Sequence, residues 1–478
     1  MSGVAERYAR HVDPAFVKLL GVLGYGRVFT RASGVHVWDD QGRQYLDLLA
    51  GFGSANIGHN HPRLVARLHA LLDEQPLNLC HTGPSPYAAR LAEALAGAAG
   101  GGLEMSLFCT SGAEAVEAAI KAARAATGRS RVVFCDGAYH GLSLGALSVS
   151  ASKRMRRPFE PLLPGCDAVP FGDAEALERA LAPRDAALFL VEPVQIEGGL
   201  RFAPPAFLQK ARALCTKYGT LLALDEVQTG IGRTGSRFAF QQAQMAPDLL
   251  VLGKSLGGSI APAAVTMTTR AVQKAAYGPT RRFDLHGSTF AGNAFASAAA
   301  LETLQIVHDE RLADRSRDNG GVMLAALRER LAGHPLVADV RGQGLLIAID
   351  LRAPLPSMTV RIAGQWLALA LLEQGIILQP ASQAWSVLRI EPPLTIDPIE
   401  IARAVEIIGT SSTSTARPRR SSAGPAGASS SRSSRKGGFD ELGRATARSP
   451  LRHRRAAPPA VPGPASGHQP LQHAVLVL

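Results

Sequence analysis

Cysteine is scarce in this 478-residue chain. The five present, Cys80, Cys109, Cys135, Cys166 and Cys215, are odd in number, scattered and without metal-type spacing. That argues against a disulfide scaffold or a zinc site and for buried free thiols. No apolar run reaches the roughly 18 residues that a membrane span needs. The opening residues, MSGVAERYARHVDP, carry charge where a secretory signal has an apolar core, so the expected location is the cytoplasm. Charged residues make up only 19% against 46% hydrophobic, a balance that fits two or three globular domains rather than a disordered chain. Acid is nearly missing from residues 410–478, where eleven Lys and Arg face only Asp440 and Glu441. Most of the formal charge of +12 therefore belongs to that tail and says little about the body.

The body alternates apolar runs with helical patterns. A short helix is expected around Ala15–Leu23, and GVHVWDDQGRQYLDLL reads as a hairpin turning at Asp39–Gly42. Gly51–Pro62 is a glycine-rich loop able to wall a site; His59 and His61 lie in it, but no third ligand is near and no metal is expected. Helical patterns over Pro62–Ala99, Glu114–Ala126, Pro204–Tyr218 and Ala294–Leu304 separate strand-like runs at Leu103–Cys109, Arg131–Gly137, Ala187–Val194, Leu221–Asp225 and Leu249–Leu252. Polar residues gather at the carboxyl ends of those runs, where parallel α/β sheets bind ligands. From about Asp309 the pattern becomes that of a smaller α+β domain, ending in a helix over DPIEIARAVEIIG that stops at Gly409. The Ser-, Arg-, Pro- and Ala-rich residues 410–478 read as a disordered tail; a polybasic arm and a shifted reading frame are the alternatives.

Two of these runs organise the chemistry. One ends in Asp225; the other delivers Lys254 between glycines in LVLGKSLGG. An acid and an amine at two strand ends suit a pyridine cofactor held at both ends, the acid on the ring nitrogen and the amine on an aldehyde. Thr110–Ala113, between a strand and a helix, forms either a phosphate seat or an ordinary Ser111 cap. Tyr139, in Ala138–Gly141, stacks on a flat ring or belongs to the core.

Together the motifs TSGAEAVEAAIKAAR, AYHG, VEPVQIEGG, LALDEVQTGIGRTG, PDLLVLGKSLGG, GSTFAGN and RGQGLL, in that order over roughly residues 25–409, resemble the class III pyridoxal-phosphate aminotransferases of fold type I. GFGSANIGHNHP, HGLSLGALS, RRPFEPLLPG, VPFGD and LRIEPPLTI look most like the putrescine branch, with ornithine aminotransferases next. The resemblance implies an α/β fold with a mostly parallel seven-stranded sheet. Its expected divisions are an N-terminal segment (1–55) packing with the small domain, a large cofactor-binding domain (56–308), a small α+β domain (309–409) and the tail (410–478). It implies pyridoxal 5'-phosphate on Lys254, with Asp225 at the ring nitrogen, Val227 and Tyr139 on the ring faces and Gln228 at the phenolic oxygen. Ser111, Gly112 and Ala113 would hold the phosphate, His140 would join the cofactor-binding residues, and Thr289 would reach the neighbouring subunit's phosphate in a homodimer.

In relatives of the ornithine type, an arginine matching Arg389 binds the α-carboxylate of glutamate or 2-oxoglutarate, and a glutamate matching Glu197 covers it when the donor lacks that carboxylate. Two departures stand near the substrate: Ile196 replaces the family's usual glycine, and Leu142 replaces the putrescine branch's lysine. Both would make the pocket greasier and narrower. The expected reaction is transfer of a terminal amino group from a diamine or ω-amino acid to 2-oxoglutarate. Its rivals are ornithine, diaminobutyrate or GABA transamination, an aminomutase, and, from another class, polyanion binding by the tail.

Overall fold

The computed structural model describes residues 3–22, 24–79, 83–352 and 360–416. Expectations for Cys80 and for residues 417–478 lie outside the described residues. The N-terminal hairpin forms where the turn glycine allows it: β1 (Phe29–Ser33), β2 (His36–Asp39) and β3 (Gln44–Asp47) are antiparallel neighbours, and Gly42 supplies a φ of 77°.

The central sheet contains β4 (Leu103–Cys109), β5 (Arg131–Cys135), β6 (Cys166–Val169) and β7 (Ala186–Val191). After a small ribbon of β8 (Val194–Gln195) and β9 (Arg201–Phe202) come β10 (Leu221–Asp225), β11 (Leu249–Leu252) and β12 (Ala264–Thr269). The strand order is β4-β12-β11-β10-β7-β5-β6; only β12 runs antiparallel to its neighbours. Successive residues of each strand enter opposite apolar layers. Val133, Phe189, Leu224 and Leu250 pack on one face, and Phe134, Leu190, Ala223 and Val251 on the other. A sheet covered on both sides explains why its strands read as continuous apolar runs. The mostly parallel α/β architecture and its seven strands are as expected.

Strand β12 and strand β6 were not among the expected strands. In β12, Thr266 and Thr268 are buried, and their hydroxyls donate to the Ala115 and Asp248 carbonyls. The run is polar in composition but satisfied inside the fold.

A second sheet is built from β13 (Val337–Gly342), β14 (Ile347–Leu351), β16 (Gln379–Pro380) and β17 (Val387–Ile390), in the order β13-β14-β17-β16. Strand β15 (Ile376–Ile377) instead pairs in parallel with β3, tying the hairpin to the C-terminal residues. The last helix runs Pro398–Ala416, past its expected stop at Gly409. Residues 410–416 are therefore helical rather than part of a structureless tail. An established helix continues through residues of modest propensity at little cost, and the Thr410 hydroxyl bonds back to the Glu406 and Ile407 carbonyls.

Candidate active site

The carboxyl ends of β4, β5, β7, β10 and β11 open on one cavity of about 260 Å³. Its walls include Gly112 and Ala113 after β4, Tyr139, His140 and Leu142 after β5, and Glu192 after β7. Asp225, Val227 and Gln228 come from the end of β10, and Lys254 follows β11.

Asp225 is fixed at both oxygens. Oδ2 lies 2.7 Å from His140 Nδ1, and Oδ1 accepts the Val227 N–H at 3.0 Å. Both Asp225 and His140 are buried. Lys254 has a left-handed backbone, φ 45°, unusual for a residue with a side chain. Its amine donates to Gln228 Oε1. Burial pulls that amine below the ordinary lysine range; Glu197 and Glu391 act in the opposite sense. Glu192 accepts the Tyr139 N–H at 3.0 Å, which orders the loop after β5. Burial and the neighbouring Asp225 push its carboxyl well above the usual range.

Ser111 is the helix cap: its Oγ accepts the Glu114 N–H at 3.2 Å at the start of the helix Gly112–Thr127. The side chain is exposed and does not line the cavity, whereas Gly112 and Ala113 do. Gly112 is required by contact, since a Cβ there would sit 2.9 Å from Val227 Cγ1. Thr289 is exposed and outside its own chain's cavity.

The substrate expectations divide. Leu142 stands on the cavity wall, largely exposed. Ile196 does not meet its expectation. It is 1% exposed and packs with Val194, Leu200, Leu346, Ala348, Ala381 and Val387, because the β8–β9 ribbon turns it into that apolar cluster. Glu197 and Arg389 lie outside the cavity lining and form a buried pair with each other. Burial alone would raise the Glu197 carboxyl, but Arg389 and Ser382 hold it at about 2. The Phe52 ring covers the Arg389 guanidinium at 4.6 Å, carried by the glycine-rich loop expected as a wall.

Glu391 had not been singled out. It is fully buried, accepts Gln228 Nε2 at 2.8 Å and lies 3.6 Å from Arg389 Nε. Arg389 and Glu391 are two residues apart at the end of a strand and so share a face, the one signal that could have found it. His59 and His61 each meet a carboxylate, Asp47 at 2.8 Å and Glu310 at 3.1 Å.

The donor set fits pyridoxal phosphate. A fixed carboxylate, a buried amine, an aromatic and a branched aliphatic wall, and free backbone N–H groups at a helix start converge on one cavity. Residues 23–411 match the family Aminotransferase class-III. The chain belongs to that family, whose members are pyridoxal-phosphate-dependent transferases, and it has the fold-type-I architecture.

It is similar to Aminotransferase PigE of Serratia sp., 34% identical over an alignment of 448 residues that covers 85% of this chain. The chain spans about half, 52%, of that relative's length. Among solved structures it is similar to the ornithine aminotransferase of Toxoplasma gondii, with 33% identity, 81% of this chain and 90% of that one covered, and a TM-score of 0.75. The acetylornithine aminotransferase of Elizabethkingia anophelis gives 30%, 84%, 98% and 0.70 on the same measures.

Proposed function

We propose that this chain transfers the terminal amino group of a diamine or ω-amino acid, putrescine-like, to 2-oxoglutarate, giving an aminoaldehyde and glutamate, as a cytoplasmic homodimer. The observation that carries this reading is the closed Glu197–Arg389 pair beside the lysine-bearing cavity. A guanidinium already matched by a carboxylate leaves the pocket open to a donor with no α-carboxylate. The same arginine, once released, suits the α-carboxylate of the acceptor.

Pyridoxal phosphate, when bound, supplies an electron sink and an aldehyde that carries the amino group between the two substrates. Asp225, held by His140, would keep the ring nitrogen protonated. Val227 and Tyr139 would confine the ring, Gln228 would meet its phenolic oxygen, and Ser111, Gly112 and Ala113 would take the phosphate, joined by Thr289 of the partner subunit. The Lys254 amine, its proton affinity lowered by burial, takes and returns the proton at the substrate carbon.

The test is a panel of amine donors with 2-oxoglutarate, scored for glutamate. Putrescine-like diamines and ω-amino acids are expected to exceed α-amino acids, and replacing Lys254 with Ala to abolish both turnover and the visible absorbance band. Glutamate formation from α-amino acids alone would overturn the reading. The similarity to an ornithine aminotransferase favours ornithine as the second donor to try.

A further inference from the structure

Glu391 extends β17 by one residue, and its backbone N–H donates to Leu48 O at 2.8 Å, so its position is fixed from both ends of the chain. One carboxylate oxygen is bonded by Gln228, whose own carbonyl receives the Lys254 amine. The other, Oε1, faces Arg389 Nε at 3.6 Å and has no hydrogen-bond partner among the described residues. Arg389 is bound by Glu197 on its Nη1 side. One buried guanidinium thus lies between two buried acids.

Arg233 adds a second buried cation. Its Nη1 donates to the Leu345 and Pro392 carbonyls at 2.9 and 2.6 Å, and its opposing charges are Glu391 and Asp47. Glu391 therefore faces the positive charges of Arg389, Arg233 and Lys254 together.

When Glu197 leaves Arg389 to admit a substrate carboxylate, a guanidinium with no other counter-charge would stand bare in the interior, and such a cation would grip any dicarboxylate tightly. We propose that Glu391 is a positioning and specificity residue that stays beside Arg389 through both half-reactions, so that the arginine meets the acceptor's carboxylate already half balanced and releases it readily. The same negative charge favours a cationic amine donor near Lys254. This inference rests on the assignment of Arg389 as the carboxylate site.

The test titrates glutarate, an unreactive dicarboxylate, into holoenzyme by calorimetry. Glu391→Gln keeps an acceptor for Gln228 and removes only the charge. It is expected to bind glutarate roughly tenfold more tightly than wild type, as removal of a like charge near a buried site implies. In turnover, KM for 2-oxoglutarate falls and KM for the diamine rises, opposite movements that a merely structural defect would not give. Glu391→Asp, which keeps the charge, should retain an affinity close to wild type; tightening there as well would overturn the charge argument. If Arg389→Met abolishes glutarate binding while Glu391→Gln leaves it unchanged, the role of Glu391 falls alone. If Arg389→Met binds glutarate like wild type, the carboxylate-site reading falls and this proposal with it.

Discussion

His140 Nδ1 lies 2.7 Å from Asp225 Oδ2, with both side chains buried. His140 follows β5 and Asp225 ends β10, strands that β7 separates in the sheet, and the two residues are 85 positions apart in sequence. Because a carboxylate only accepts, His140 is the donor, and with the Val227 N–H it leaves Asp225 one orientation. Replacing His140 with Phe removes a hydrogen bond to a charged group, worth about 1.5–3 kcal/mol, or roughly ten- to a hundredfold in affinity. Titrating the cofactor into cofactor-free protein, followed by fluorescence, should show that loss. Unaltered affinity would mean that the histidine does not orient the acid.

Gly112 and Val227 come from different strand ends and meet in the cavity wall. Gly112→Ala forces a methyl to within 2.9 Å of Val227 Cγ1. Overpacking of this kind costs about 1–3 kcal/mol and pushes the valine toward the space expected for the ring. The single variant should melt lower and hold cofactor more weakly. Adding Val227→Ala should recover much of the melting temperature, since it removes the clashing branch; an additive loss in the double variant would argue against the contact.

Much of this arrangement was legible in the sequence because β10 and β11 are continuous apolar runs that end abruptly on Asp225 and Lys254. Burial on both faces produces such runs, and the polar residue at each end marks where the sheet stops being covered. Thr266 and Thr268 hid β12, because their hydroxyls are satisfied by carbonyls that only the fold brings near. Glu391 was illegible for a related reason: its partner Gln228 is 163 positions away. Ile196 was misplaced because its direction is set by a two-residue ribbon, too short to leave a period.

The Glu197–Arg389 pair gives acid stability a specific component. The Glu197 carboxyl is depressed from an ordinary 4.5 to about 2, against the opposing effect of burial. A depressed carboxyl contributes stability that is full above pH 4.5 and is lost as pH falls through about 2. The shift corresponds to something on the order of 3 kcal/mol. Denaturant melts from pH 5 to pH 2 should therefore show a steep loss in wild type. Glu197→Gln, although less stable at neutral pH because Arg389 loses its acid, should show a shallower loss over that window; equal slopes would count against the pair.

Thr289 belongs to a segment with no place in its own chain's cavity. Around it Phe283, Leu285 and Phe290 are 72%, 56% and 57% exposed, more apolar surface than a loop facing only water needs. If that segment completes the partner's site, the two defects Lys254→Ala and Thr289→Ala lie in different chains of one site and can complement. A mixed dimer has one site with Lys254 from the Thr289→Ala chain and Thr289 from the Lys254→Ala chain, and that site is wild type. Its other site carries both defects and is dead. Alone, the Lys254→Ala protein should be inactive and the Thr289→Ala protein should hold cofactor poorly. Co-refolding the two in equal amounts should yield mixed dimers that regain cofactor retention and turnover at one site in two. Activity no greater than that of the Thr289→Ala protein alone would place Thr289 outside any shared site.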